Sequence, residues 1–194
     1  RLALRVFEAF KFTKAIELKP HFAEAYFNRG TAKDDMKDHV GAIADYTIAV
    51  ELKLSLPDVF YNRGLAKYAL NDHRGSIADL TKAIELKPDL AEAYNNRGAA
   101  KGAMRDYEGA IADHTKAIDL KPDHAQYYFN RGTAKDDLKE YRGAIDDYTK
   151  AIELKPDYAF AYYNRGNVRK KRGDMTKAIA DYNKAIELKP DYID

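Results

Sequence analysis

One motif returns at a fixed interval and constrains the chain more than anything else in it. FNRG stands at 27–30, YNRG at 61–64, NNRG at 95–98, FNRG at 129–132 and YNRG at 163–166, each copy 34 residues after the last. Proline keeps the same period at Pro88, Pro122, Pro156 and Pro190, with Pro20 two periods before Pro88. The proline missing at Leu54 is replaced by Pro57 three residues on. Repeats therefore run 23–56, 57–90, 91–124, 125–158 and 159–192, and residues 1–22 read as the second half of a sixth, degraded repeat. A chain built this way is expected to stack like units on one another, because one unit alone cannot bury its apolar surface.

Each repeat reads as two helices. Asp38, Asp72, Asp106 and Asp174 are placed to cap the second helix. Asp89 with Glu92 and Asp123 with Gln126 suggest capping boxes on the first, which Ser55 with Asp58 approximates. The second helix ends at Leu120–Lys121 and its equivalents because the proline cannot continue it. No alternating strand pattern is present. Small residues recur at Gly30, Gly64, Gly98, Gly132 and Gly166, at Ala49, Ala83, Ala117, Ala151 and Ala185, and at Ala42, Ser76, Ala110, Ala144 and Ala178. Larger side chains there would overpack a close helix crossing at roughly 1–3 kcal/mol each. Bulk is expected from Ile43, Ile77, Ile111, Ile145 and Ile179 and from the leucines at 52, 86, 120, 154 and 188.

This unit resembles the tetratricopeptide repeat, in the form with an Asn-Arg-Gly first helix seen in bacteria. The fifth copy carries the signature at Tyr162, Gly166, Ala178, Tyr182, Ala185 and Pro190, and the third at Tyr94, Gly98, Ala110, Ala117 and Pro122, with His114 at the second aromatic position. The resemblance implies an all-α fold, a right-handed superhelical solenoid of antiparallel helix pairs, whose first helices line a concave groove. Two departures recur. Arg29, Arg63, Arg97, Arg131 and Arg165 replace the leucine before the glycine, and Lys33, Lys67, Lys101, Lys135 and Arg169 replace the later tyrosine. Each repeat also places an aspartate on its second helix: Asp45, Asp79, Asp113, Asp147 and Asp181. A buried arginine needs a partner, so a repeated inter-helix ion pair is expected, packed through alkyl stems.

The asparagines point elsewhere. Asn28, Asn62, Asn96, Asn130 and Asn164 share the first-helix face away from the packing residues. An amide both donates and accepts, as a peptide backbone does, so a row of amides can hold an extended chain whatever its sequence. The resemblance implies the same use, since the repeats of O-GlcNAc transferases have a similar asparagine ladder. Beside them stand Phe27, Tyr61, Asn95, Phe129 and Tyr163, which either line the groove or pack on the next repeat. Both rows form the expected peptide-binding surface. The carboxylate clamp with which related repeats grip acidic chaperone tails is not matched, because its lysines are replaced by Phe27, Tyr61 or Glu92 and its arginine by Asn96.

Other functions are disfavoured. With 33 basic and 31 acidic residues the net charge is +2, too small to draw nucleic acid or an anionic membrane by a global field. There is no cysteine, so disulfides and thiolate metal sites are excluded. No segment is apolar enough to span a bilayer, and a soluble, cytoplasmic chain is favoured. Adjacent carboxylates such as Asp146–Asp147 diverge by about 100° on a helix and cannot converge on one bond. His21, His39, His73, His114 and His124 lack metal-ligand spacing. No catalytic residue, cofactor or metal is expected. Charge differs along the groove, with Asp34–Asp35 and Asp136–Asp137 in two repeats but Arg169–Arg172 in the last, which would orient a polar ligand. Leu2, Leu4, Val6, Phe7, Phe10 and Phe12 at one end, and the uncapped Pro190-Asp-Tyr-Ile-Asp end at the other, leave a homo-oligomer open. Since Arg1 is not a methionine, the chain is expected to be a piece of something longer. The expected function is a protein–protein interaction scaffold that binds an extended peptide or partner protein in its groove. The alternatives are the non-catalytic repeat region of a larger enzyme, such as a glycosyltransferase, or a self-assembling array.

Overall fold

The computed structural model describes residues 2–190, so the 191–194 tail and the last two positions of the fifth repeat lie outside the described residues. Eleven α-helices, and no strand, occur among the described residues. They fall into two compact parts, 1–100 and 101–194, whose boundary lies inside the sixth helix. The N-terminal part holds α1 (Leu2–Leu18), α2 (Ala23–Asp35), α3 (His39–Glu51), α4 (Pro57–Ala69), α5 (His73–Leu86) and most of α6 (Ala91–Ala103). Within it each helix packs on the one before and the one after, and the first helices α2 and α4 also touch. The C-terminal part holds α7 (Tyr107–Leu120), α8 (Ala125–Asp137), α9 (Tyr141–Leu154), α10 (Ala159–Lys171) and α11 (Met175–Leu188). The same neighbour-to-neighbour packing holds there, and α8 touches α10.

The second helices begin where the sequence says. The carboxylates of Asp38, Asp72 and Asp106 accept from the backbone N–H of Gly41, Gly75 and Gly109 at 2.9, 2.9 and 3.0 Å. A Cβ at any of these three glycines would run into the capping carboxylate. Asp174 caps α11 more loosely, at 3.3 Å, with Lys177 in the glycine's place. The first helices do not begin as expected. The N-cap of α8 is His124 and that of α4 is Leu56, neither with a side-chain cap bond, and α6 starts at Ala91. Asp89, Asp123 and Ser55 therefore lie outside the capping position. Pro57 sits in the first turn of α4, where its missing N–H costs nothing.

Left-handed residues close the turn within each pair: Lys37, Asn71, Arg105 and Lys139 at φ 61–67° and Gly173 at φ 83°. In the first, Asp38 N–H bonds Lys33 C=O at 2.9 Å, satisfying a terminal carbonyl of α2. Between repeats the chain normally leaves the helix through an extended lysine, as at Lys87, Lys121 and Lys155. Only the first repeat, which lacks the proline, turns there through a left-handed residue, Lys53 at φ 66°.

The core is thin and made largely of alanine. Ala42, Ala110, Ala144 and Ala178 and the row Ala49, Ala83, Ala117, Ala151 and Ala185 are wholly buried. The expected bulk lies elsewhere: Ile43, Ile77, Ile111 and Ile145 are only half-buried and Ile179 is exposed. Instead Tyr46, Leu80, His114 and Tyr148, one repeat position on the second helices, fill the interior. The glycines make room for them. A Cβ on Gly30 would stand 2.8 Å from the Tyr46 ring, and one on Gly64 2.9 Å from Leu80. Burying a side chain such as Leu80 contributes roughly 1.5–3 kcal/mol. On α1, Leu2, Leu4, Val6, Phe7 and Phe10 are exposed as expected, whereas Phe12 is half-buried.

Candidate functional site

The arginine and the asparagine of the recurring motif have different fates. In the N-terminal part Arg29 grips Asp45 with two bonds, Nε to Oδ2 at 2.8 Å and Nη2 to Oδ1 at 2.7 Å. Arg63 does the same with Asp79 at 2.8 and 2.6 Å. In the C-terminal part Arg131 holds Asp147 at 2.9 and 2.7 Å, and Arg165 holds Asp181 at 3.1 and 2.8 Å. The cation one turn further on meets the same carboxylate: Lys33, Lys67, Lys101, Lys135 and Arg169 lie 2.7–2.8 Å from Asp45, Asp79, Asp113, Asp147 and Asp181. The fork geometry of a guanidinium suits this bidentate contact. The Asp147 bond, ahead of the cost of burial, raises the Arg131 pKa further.

A third partner was not anticipated. The remaining Nη1 donates to a threonine on the second helix of the preceding repeat: Arg29 to Thr13, Arg63 to Thr47, Arg97 to Thr81, Arg131 to Thr115 and Arg165 to Thr149, at 2.9–3.3 Å. The signal was in the sequence, since those threonines recur at the same 34-residue spacing. Each arginine also lies over the aromatic ring three residues before it, Arg165 over Tyr162 at 5.5 Å for example. The arginine row is a structural lock within and between neighbouring repeats.

The asparagine row is looser. Asn28, Asn62 and Asn96 in the N-terminal part, and Asn130 and Asn164 in the C-terminal part, are all half-buried on first helices. Asn96 donates through Nδ2 to the Tyr61 hydroxyl of the preceding first helix at 2.9 Å. Burial raises the Tyr61 pKa, the Glu92 carboxylate adds to it, and the Asn96 bond opposes both. Asn130 accepts from Gln126 one turn earlier at 2.7 Å. That same Gln126 accepts from the Tyr158 hydroxyl at 2.6 Å, so it serves the row rather than a capping box. Asn28 and Asn164 make no side-chain hydrogen bond among the described residues.

The neighbouring aromatic row is used for packing. Phe27 rests 5.9 Å from the Tyr46 ring, Phe129 lies 5.7 Å from Tyr148 and 5.0 Å from Tyr158, and Tyr163 lies 5.8 Å from Tyr182. Tyr61 packs on Leu80, Ile84 and Ala93. All four keep part of their surface exposed. Asn95 corrects the expectation: only 8% exposed, it belongs to the packing rather than to an open face.

Charge along the first helices is more balanced than the sequence suggests. Asp34 pairs with His39 at 2.7 Å, Asp35 with Arg5 at 2.8 Å, and Asp136 with Lys171 at 2.7 Å. The acidic pair of the fourth repeat thus partly neutralises the basic run of the fifth, and a ligand orientation set by charge is weakened. Among the described residues no three acidic or histidine side chains come together as a metal site. No described helix is long and apolar enough to cross a membrane.

Comparison with known proteins comes to the same architecture. The tetratricopeptide repeat model matches residues 91–124 and 159–192, and a second TPR repeat model matches 64–104 and 137–173. No curated protein matches the chain. Among solved structures, a MamA protein is 26% identical over 87% of this chain and 92% of its own, with a TM-score of 0.80. The 41-end form of MamA from Desulfovibrio magneticus RS-1 is 20% identical over 89% of this chain and 97% of its own, with a TM-score of 0.82. YrrB, a TPR protein with an unusual peptide-binding site, is 23% identical over 93% of both chains, with a TM-score of 0.78. The last two likenesses concern the fold alone.

Proposed function

We propose, for a chain that belongs to the tetratricopeptide repeat family, that its first helices hold the main chain of an extended peptide from a partner protein. As a protein-interaction scaffold it needs a surface that recognises backbone rather than a particular side chain. The observation that carries the reading is the amide row, where Asn28 and Asn164 have no internal partner and Asn96 keeps its carbonyl oxygen beyond the bond to Tyr61. Adjacent first helices touch within each part, so successive amides can follow one strand. The half-exposed rings of Phe27, Tyr61, Phe129 and Tyr163 supply apolar contact beside them. YrrB, with its peptide-binding site, supports this use of the fold. The chain acts as a binding protein and not as a catalyst in this reading.

The test is a triple substitution, Asn28, Asn62 and Asn96 to Ala, with peptides selected on the unaltered chain. Each lost hydrogen bond is worth roughly 0.5–1.5 kcal/mol, so affinity should fall by about one to three orders of magnitude. The melting temperature should fall only a little, because the three side chains give up few internal bonds, that of Asn96 to the Tyr61 hydroxyl and that of Asn62 to the buried Tyr46. Unchanged affinity would overturn the proposal.

A further inference from the structure

The last helix pair departs from its siblings at one place. Where earlier pairs have Met36, Leu70, Met104 and Leu138, it has Arg172; where they have Gly41, Gly75, Gly109 and Gly143, it has Lys177. Two side chains that are apolar or absent elsewhere are cations here. The fold does not ask for them, since the other pairs close without them, and Lys177 even stretches the Asp174 cap to 3.3 Å.

The turn brings the two together. Arg172 ends α10, Gly173 takes the left-handed turn at φ 83°, and Lys177 lies in the first turn of α11. With Arg169, Asp174 and Ile145 of α9 they line a cleft of about 260 Å³. Its charges can be followed one by one. Arg169 donates to Asp181 at 2.7 Å, and Arg165 already holds that carboxylate. Lys177 lies 3.1 Å from Asp174. Arg172 is exposed and has no ion pair among the described residues. Four cations thus stand against two carboxylates, an excess of two positive charges around a small cleft with an isoleucine at its side. None of the lining residues belongs to the asparagine row.

We propose that this cleft binds a phosphorylated side chain of a partner protein, with the phosphate on Arg172 and Lys177 and its ester carbon against Ile145. A phosphate monoester carries about −1.5 to −2 at neutral pH, which matches the excess charge, whereas a single carboxylate leaves half of it unpaired. Arginine offers a planar fork to phosphate oxygens, and lysine adds a compact charge. A cleft of this size with one apolar side suits a single side chain better than a flat bilayer.

The experiment measures fluorescence anisotropy of a short labelled Gly/Ser-rich peptide carrying phosphoserine, against the same peptide with serine. Inorganic phosphate serves as competitor, and phosphatidylserine vesicles as a separate arm. The phosphoserine peptide should bind at least about tenfold tighter, weaken as salt rises, and be displaced by inorganic phosphate. Arg172→Leu with Lys177→Gly restores what Leu138 and Gly143 are in the preceding pair, so it should erase the preference and leave the melting temperature intact. Equal affinity for the two peptides overturns the proposal. So does a preference that survives the double variant, or vesicle binding that is lost in the double variant when no phosphopeptide binds at all. The Asn28, Asn62 and Asn96 triple variant should keep the preference, which separates this site from the peptide row.

Discussion

Asn130 and Arg131 are neighbours in sequence, and both recur in every repeat, yet the two rows they belong to are built in opposite ways. The arginine row is closed. Arg29, Arg63, Arg131 and Arg165 each meet a carboxylate twice, a threonine once and an aromatic face, and the next cation shares the same aspartate. The asparagine row is open, with Asn164 unbonded and Asn96 tied to one hydroxyl. Recurrence alone does not separate fold from function in a repeat protein. The completeness of a residue's bonding does, because a side chain whose partners are all internal has nothing left for a ligand.

The largest test of this contrast removes the shared carboxylate. Asp147→Ala leaves Arg131 and Lys135, both mostly buried, facing no counter-charge. It should lower stability to urea by about 3 kcal/mol. If Asp147→Ala unfolds no earlier than the triple asparagine variant, the distinction between closed and open rows is gone.

A comparable effect should come from pH. His114 takes the interior position that Tyr148 fills in the next repeat, and burial, with Arg131 adding, pushes its pKa down to about 4 against the pull of Asp113 and Asp147. The folded chain then refuses a proton that the unfolded chain accepts. Stability is complete above about pH 6.5 and drains away as pH falls towards about 4, by roughly 3 kcal/mol in total. His114→Tyr should flatten that part of the melting-temperature profile. An identical slope in both proteins would mean that the imidazole is not buried as described.

The smallest effect concerns the turns. Lys139 holds φ at 63° without being glycine. Lys139→Gly should gain about 0.5–1 kcal/mol, since relief of the left-handed strain outweighs the added freedom of the unfolded chain. A loss of stability instead would show that the Lys139 side chain contributes more than its backbone costs.

Much of this was legible in the sequence. The period set the number of helix pairs, and aspartates such as Asp72 marked the second helices because their capping chemistry is local. The arginine–aspartate pair could be read because one cation and one anion per repeat must meet on packed helices. First-helix starts were misread because Asp123 stands in the Lys-Pro-Asp turn, where a favourable capping residue is simply too early in the chain. Which aromatic faces inward was not legible either. Phe27 and Tyr26 are adjacent, and only the approach of Tyr46 over Gly30 decides how much of each is covered. The threonine was overlooked because its partner lies in another repeat, and a hydroxyl on a helix commonly bonds its own backbone, as Thr47 also does to Ile43.

The arginine-to-threonine bond has an evolutionary corollary. Each of the first four repeats offers a hydroxyl to the arginine of its successor, every arginine takes one from the second helix before it, and each aspartate meets a cation inside its own helix pair. A gene duplication that copies one whole period would slot in with donor meeting acceptor on both sides, while an insertion of any other length would strand a guanidinium. Chains of this kind can thus grow or shrink by recombination in fixed steps, with no compensating mutation needed at the seams.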